Sequence, residues 1–431
     1  MKIMKRTDLP KVVAFILQRL READFQAFVV GGAVRDAHLG RSITDWDVAT
    51  NASTGEIMSL FGDVRHFTLK QTTVSLVHSG RNFEVTPFRG KGNCLEEDLA
   101  HRDFTINAMA FDADAEECMD PHGGRKDISA ETIRAVVDPE GRFLEDPLRL
   151  LRAIRFANEL GFQIEKRTMQ ALTRDASLIQ SVAPERIREE LWKILMSPTP
   201  SVGFRMMRKT GLLAHVLPEL LQRAYDHHGN LPEDAVFTHL METIDRVKIT
   251  PVLKWAALLH HLQRGGPGAA VIGDRRSPGS DKTSTALAEK VMKRLKFSNR
   301  MISKVTNLIA LHEIDYRAEW TDAAVRRFIR LVGPEQVMDV LTLRRADLLS
   351  QDREVASLEK LEERVKREAG AAIGIKDLAV NGQRVMEVVG ISEGPEVGRI
   401  LANLVEKVTD EPGLNEEKKL LALLLQWRNS K

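Results

Sequence analysis

Cysteine is almost absent from this chain: Cys94 and Cys118 are the two present in 431 residues. Two isolated thiols exclude a disulfide framework and lack the paired spacing of a cysteine zinc site, so both are expected to be reduced bystanders. Long apolar runs are missing too. None approaches the roughly 20 residues that a membrane span requires, so no membrane association is expected. The first residues, MKIMKRTDLP, are basic but have no apolar stretch of the secretory kind, which makes a cytoplasmic location the expectation. Nor is there an excess of one charge. With 63 basic and 61 acidic residues the formal net charge is +2, so any contact with nucleic acid must come from local basic clusters. No internal repeat is present. Aromatics contribute 5% against 43% hydrophobic and 29% charged residues, the balance of a helix-rich globular protein, and 431 residues are too many for one core.

The most informative stretch is GGAVRDAHLGRSITDWDVAT, residues 31 to 50. Phe28-Val29-Val30 reads as a short apolar strand ending at Gly31 and Gly32, with a helical pattern from Ala33. A strand, a glycine turn and a helix start together form an anion cradle, because the first amides of a helix have no internal partner. Arg35 adds a guanidinium fork suited to a phosphate. Side chains two apart on a strand share a face, so Asp45 and Asp47 are expected to project together. Such a pair can hold two divalent cations, and hard oxygen ligands with room for phosphates suit Mg2+. Gly-Gly is usually only a tight turn, and Asp-x-Asp usually a solvated loop pair. Their joint occurrence carries the reading.

Along the chain, residues 10 to 23 have the spacing of an amphipathic helix, with Pro10 at its start. From about 27 to 137 short β segments dominate: FVV, WDVAT, TVSLVH, NFEVTPF and INAMAFD. Beyond about 140 nearly everything is helical. Residues 265 to 285 are rich in Gly, Pro and Ser and are expected to be a mobile loop. Residues 352 to 368 alternate in charge, as a solvated helix face does.

GGAVRDAHLG followed by DWD resembles the nucleotidyltransferase superfamily. HRDFTINAMAFD and EDPLRLLRAIRFANELGF narrow the resemblance to class II tRNA nucleotidyltransferases and bacterial poly(A) polymerases. It continues through PERIREELWKILMSPTPSVGFRMMRKTGLLAHVLPEL, DAAVRRFIRLVG and LAVNGQRVMEVVGISEGPEVGRILANLVEKV, and so covers nearly the whole chain. The resemblance implies an α+β fold: an N-terminal polymerase β-like head with a small mixed sheet, then all-α neck, body and tail. The expected divisions are a catalytic head at 1–138, a neck at 139–200 with the base-template motif and an RNA-binding face, a body at 201–350 with a degenerate HD-like region, and a tail at 351–431.

The resemblance also assigns roles. Asp45 and Asp47 are the expected metal ligands; Glu84 is either a third carboxylate of that site or an exposed glutamate on an alternating strand. Gly31, Gly32, Arg35 and Asp36 are expected at the nucleotide. Arg102, Asp103 and Asn107 resemble the ribose-gripping motif, in which an Asp accepting from a 2′-hydroxyl would reject deoxyribonucleotides. The family commonly has two arginines before that Asp; here the first is His101, which puts only an outer contact in doubt. Asp146 and Arg149 match the pair that reads the incoming base. Three apart at a helix start, they are expected as neighbours on one face, with Pro147 in the first turn. Asp146 would accept from the cytosine amino group while Arg149 donates to O2 and N3; adenine could be read through N6 and N1. Arg152 and Arg155 follow at steps of three, toward the expected triphosphate.

Subtype rests on a short connection. Enzymes that complete the CCA end usually have a longer charged segment, containing a tyrosine, between TPFR and the ribose motif. Here twelve residues, GKGNCLEEDLAH, join Arg89 to Arg102. That resembles the CC-adding subgroup and implies transfer of CMP from CTP to positions 74 and 75 of tRNA, with a separate enzyme adding the final A. HFTLKQTTVSLVH, with its Lys-x-x-Thr-Val pattern, resembles the tRNA-specific branch. The alternatives are a full CCA-adding enzyme that also uses ATP, a poly(A) polymerase, an HD-type phosphohydrolase with an inactive head, or a non-catalytic RNA-binding module.

In the body, His239, His260-His261 and Asp347 resemble the frame of an HD-type metal phosphohydrolase. His-His stands for His-Asp, and Asp281-Lys282 stands near where another histidine is expected, so poor metal binding follows. His227, His228 and His312 are expected to have packing or polar roles. Arg186, Arg188, Lys193, Arg205, Arg208 and Lys209, and farther on Arg326, Arg327 and Arg330, are candidate contacts to the tRNA acceptor end, which is recognised by shape.

Overall fold

The computed structural model describes residues 4–69, 72–221, 233–262, 282–314, 316–371 and 374–429. The chain divides into two compact units, Met1–Val216 and Leu217–Lys431. His227, His228, Asp281 and most of the 265–285 stretch lie outside the described residues, as do Lys70 and Gln71 of the subtype motif.

The first unit is organised by a seven-stranded sheet. Its strands are β1 (Ala27–Val30), β2 (Asp47–Thr50), β3 (His66–Leu69), β4 (Thr73–His78), β5 (Arg81–Pro87), β6 (Ala110–Asp112) and β7 (Glu117–Met119), in the order β3-β4-β5-β2-β1-β6-β7. β2 and β5 run parallel and the other pairs antiparallel. The central strands are apolar because they are covered: Val29, Val30, Val48, Ala49 and Val85 are all buried. The Lys11–Glu22 helix buries Val13, Ile16, Leu17 and Leu20, the i, i+3, i+4, i+7 stripe read from sequence, with Pro10 as its N-cap.

From Pro139 the unit is almost wholly helical, with helices at Pro139–Glu145, Leu148–Leu160, Lys166–Arg174, Pro184–Leu195, Pro200–Lys209 and Leu212–Val216. Three of them, those starting at Pro139, Pro184 and Pro200, open on proline, whose missing N–H costs nothing in the first turn. The second unit is helical throughout its described residues. Its longest helices are Glu233–Arg246, Lys282–Arg294, Asn299–Leu311, Val337–Leu349, Ala356–Glu368, Pro395–Asp410 and Glu417–Asn429. Among the described residues no helix is long and apolar enough to cross a membrane.

Two local expectations need correction. β2 begins at Asp47, so Asp45 precedes the strand rather than belonging to it. The last rung pairs Asp47 with Val30, because the opposing chain turns away at Gly31. Asp146 is not in a helix. It is an extended residue, φ −145° and ψ 96°, between two helices, and Pro147 is the N-cap of the second. The proline explains this, since its ring disfavours helical geometry in the residue before it.

Candidate active site

Gly31 ends β1 with φ 74°, a conformation that favours glycine, and the Gly32–His38 helix starts at once. A Cβ at Gly31 would lie 2.8 Å from Arg102 Nη1 and 3.6 Å from Asp47 Oδ2. Glycine is therefore what allows the backbone to pass between a guanidinium and a carboxylate. On the next strand Asp47 pairs with Glu84 of β5 in parallel register, so both carboxylates leave the sheet on one face. Burial, chiefly, raises the Asp47 carboxyl above its ordinary range; Asp45 adds to this, while Arg102, Arg89 and Arg152 oppose it. A partly buried carboxylate beside a second one of like sign, the exposed Asp45, forms a site that a cation would relieve.

Behind these carboxylates lies a relay of hydrogen bonds. Arg35 Nη1 donates to Asn107 Oδ1 at 2.7 Å, and Asn107 Nδ2 donates to Asp103 Oδ1 at 3.0 Å. Asp103 Oδ1 also accepts from the Phe104 amide, and Oδ2 accepts from Arg152 Nε at 2.7 Å and Nη2 at 2.5 Å. All four lone-pair positions of Asp103 are thus taken. A 2′-hydroxyl could bond to it only by displacing one of these donors. The Phe156 ring gathers three guanidiniums: Arg155 stands 4.0 Å from its centroid, Arg35 5.1 Å and Arg152 5.2 Å.

At the helix junction, Asp146 Oδ1 accepts from the Leu148 amide and Oδ2 from Arg186 Nη2 at 2.9 Å. Arg149 Nη1 donates to the Arg142 carbonyl and to Glu145, and Nη2 donates to the His101 carbonyl at 2.8 Å. Among the described residues this leaves its Nε–H and one Nη2–H without a partner. Arg155 is held by Glu190 at 2.6 Å and by Glu159. Together these side chains line one cavity of about 930 Å³, walled by Gly31, Gly32, Arg35, Asp36, Asp45, Asp47, Glu84, Arg102, Asp103, Asn107, Asp146, Arg149, Arg152 and Arg155, along with Phe156, Arg186 and Lys193.

The connection Gly90 to His101 folds tightly. Its second half is the Leu95–Ala100 helix. Glu97 accepts from the Gly92 amide, and its side chain occupies the space a Cβ on Gly90 would need. Asp98, 1% exposed, accepts from Arg102 Nε and Nη2 at 3.1 and 2.9 Å and from the Arg89 amide at 3.2 Å. The short connector is therefore what holds Arg102 in place.

Three family models match this chain. The poly A polymerase head domain matches residues 27–134, a probable RNA and SrmB-binding site of polymerase A matches 161–223, and tRNA nucleotidyltransferase domain 2 matches 281–424. The CCA-adding enzyme of Geobacillus stearothermophilus is 30% identical over 429 residues, 95% of each chain. The chain belongs to the class II tRNA nucleotidyltransferase family. A CC-adding tRNA nucleotidyltransferase of Halalkalibacterium halodurans is 42% identical over 205 residues, 48% of this chain and 54% of that one. In structure, a Bacillus stearothermophilus CCA-adding enzyme in complex with CTP matches with a TM-score of 0.73 at 29% identity, covering 97% of each chain.

In this tRNA nucleotidyltransferase every nucleotide-site residue expected from sequence lies on the one cavity. Sequence reasoning missed Asp98, hidden in the acidic run EED, and Phe156, which looked like one more apolar position of a helix. It also set Arg186 aside as an RNA contact, whereas the structure places it on Asp146. Arg326, Arg327 and Arg330, named as candidate tRNA contacts, are each engaged within the protein. Arg326 bonds Glu368 and the Thr409 carbonyl, Arg327 bonds Glu406 and Asp410, and Arg330 bonds Glu406 and Thr409. These bonds tie the Asp322–Val332 helix to the Pro395–Asp410 helix. Cys94 and Cys118 are free, and burial pushes the Cys118 thiol up to about 11, as suits an unreactive thiol.

Proposed function

We propose that this tRNA nucleotidyltransferase is of the CC-adding type, transferring CMP from CTP to positions 74 and 75 of the tRNA 3′ end. The observation that carries the reading is the connector of Gly90 to His101, twelve residues closed by its own Glu97 and Asp98 bonds. A connector bonded to itself and to Arg102 has little freedom to reset a base pocket from cytosine to adenine. The similarity to the Halalkalibacterium halodurans CC-adding enzyme is consistent with this. The second reading, a full CCA-adding enzyme that also takes ATP, is favoured by the relatives that match along the whole chain, which are named CCA-adding enzymes. On the CC-adding reading a separate enzyme must supply the terminal A.

Asp45 and Asp47, with Glu84 on the same cavity wall, offer oxygen donors beside the helix start, the chemistry that suits Mg2+. When bound, the ions would neutralise charge on the α-phosphate and the leaving pyrophosphate and lower the pKa of the attacking 3′-hydroxyl. The residues of the chain do the rest. The Gly31–Gly32 turn and Arg35 receive phosphate at the helix start. Arg152, oriented by Asp103, and Arg102, oriented by Asp98, present cationic faces to the cavity. Asp146 and Arg149 read the base edge, with Asp146 accepting from the cytosine amino group and Arg149 donating to N3 and O2. For that, Asp146 must share or release Arg186. The tRNA is held by shape through the basic neck.

Extension of tRNA transcripts ending before C74, after C74 and after C75, with CTP, ATP or both, tests the reading at single-nucleotide resolution. Arrest at C75 with both nucleotides present is the expected result. Addition of one A after C75 would establish the CCA-adding reading instead, and a ladder of A residues would point to poly(A) synthesis.

A further inference from the structure

The helical unit contains a cluster of ring nitrogens that nucleotide transfer does not use. His239 stands on the Glu233–Arg246 helix, His260 and His261 follow the Pro251–Leu259 helix, and Asp347 lies on the Val337–Leu349 helix. The Nε2 atoms of His239 and His261 each lie 3.2 Å from Asp347 Oδ1, and that of His260 lies 3.6 Å away. His239 and His260 Nε2 are 3.3 Å from each other.

The outer hydrogen bonds are compatible with rings that keep Nε2 free on the inward side. His260 Nδ1 lies 2.8 Å from the Ala257 carbonyl, which can only accept. The proton is therefore on Nδ1, and in the neutral ring Nε2 presents a lone pair inward. His239 Nδ1 lies 2.8 Å from Ser350 Oγ, which also lies 2.8 Å from the Asp347 carbonyl, so Ser350 can accept from Nδ1 and leave His239 Nε2 to present a lone pair inward as well. Behind them, His312 donates from Nδ1 to the Ile309 carbonyl at 2.7 Å, and its buried Nε2 has no hydrogen-bond partner. Its ring centroid is 5.2 Å from that of His260 and 5.4 Å from that of His261. With Nδ1 protonated, the ring nitrogens of His239 and His260 turn lone pairs toward a carboxylate oxygen, an arrangement that a cation among them relieves.

The spacing fits a particular cation. A tetrahedral ion with ligands about 2.0–2.1 Å away keeps its ligand atoms about 3.3 Å apart, close to the separations found here. Imidazole-rich sets favour zinc and its neighbours over Mg2+ or Ca2+. We propose that His239, His260, His261 and Asp347 bind one divalent transition-metal ion of the zinc class as a closed structural clamp between helices of this unit. Arg344 bonds Asp347 Oδ2 at 2.6 Å and Gln351 bonds Oδ1 at 2.6 Å, the outer support that orients a ligating carboxylate. Where the HD pattern would have an aspartate, His261 brings its Nε2 to 3.2 Å from Asp347 Oδ1. Replacing that carboxylate makes the site richer in nitrogen rather than destroying it. Four protein ligands, of which only His239 is appreciably exposed, leave no open position for hydrolysis.

The test uses the full chain, stripped with chelator and reloaded with Co2+ or Zn2+, with bound metal measured by mass spectrometry after desalting. One equivalent is expected in the wild type and in the Asp45→Asn/Asp47→Asn variant, with Co2+ giving the intense visible bands of tetrahedral coordination. Affinity should fall by at least about 10-fold in Asp347→Asn and in His261→Ala. Zn2+ should raise the melting temperature of the wild type but not of these variants. Equal metal retention in wild type and variants, or no retention in the wild type at saturating Zn2+, would overturn the clamp and leave a buried His–Asp proton network. Should a variant fail to fold, the wild-type Co2+ spectrum decides: weak octahedral bands alone refute the site.

Discussion

Asp47 and Glu84 face each other across the one parallel rung system of the sheet, paired in register on β2 and β5. Their common face is the wall of the cavity that also holds Asp45. The register sets Glu84 on the same face as Asp47, so whether it serves the carboxylate pair is a question for mutation. Replacing Asp45 and Asp47 together with alanine is expected to reduce nucleotide incorporation by at least about 10³-fold, since metal ions supply several kcal/mol to such a transition state. Glu84→Gln should cost less, about 10-fold. Single-turnover incorporation, with tRNA binding measured alongside, checks both; substantial transfer by the double variant would remove the pair from the metal role.

Arg149 has two N–H groups left after its bonds to Arg142, Glu145 and His101. Arg149→Ala should therefore blur the choice among CTP, ATP and UTP by roughly 10- to 100-fold, the discrimination of one good hydrogen-bonded pair. Competition between labelled nucleotides reads it directly. Selectivity that stays at the wild-type level would exclude base reading by this residue.

Asp98 and Arg102 form a buried pair, and removing one partner leaves the other charge uncompensated. Asp98→Ala is expected to destabilise the first unit by about 3 kcal/mol and to lower incorporation, because Arg102 loses its support. Urea denaturation followed with kcat measures the two effects. A loss below about 0.5 kcal/mol would show that the connector does not depend on this bond.

Burial acts to raise the Asp103 carboxyl, but Arg152, with hydrogen bonds from Asn107, Arg152 and the Phe104 amide, outweighs it and holds the group well below the carboxylate range. The folded state therefore resists protonation more than the unfolded chain does. Its contribution to stability is complete above the unfolded value of about 3.9 and disappears as pH falls through the folded one. Wild type should accordingly lose melting temperature more steeply below about pH 4 than Asp103→Asn, which starts about 2 kcal/mol less stable at neutral pH. Parallel melting curves from pH 7 to 3 would contradict this assignment.

By itself the sequence determined what local chemistry can report. An apolar triplet before two glycines makes a strand, a turn and a helix start, and the period of hydrophobic residues separates a sheet-bearing head from the helices after it. Asp47, Arg35, Asp103 and Arg149 were legible because each stands in a short run whose residues act together. Partnership was not legible, because it depends on distance through space. Asp98 is one of three acids in a row, and only burial against Arg102 distinguishes it. Arg326, Arg327 and Arg330 look like a cationic face until packing supplies Glu368, Glu406 and Asp410. His239, His260, His261 and Asp347 lie far apart along the chain, and read one by one they suggest a site broken by the loss of an aspartate. Helix packing alone sets their nitrogens and oxygen close together, because a coordination sphere is fixed by the positions of atoms and not by their order in the chain.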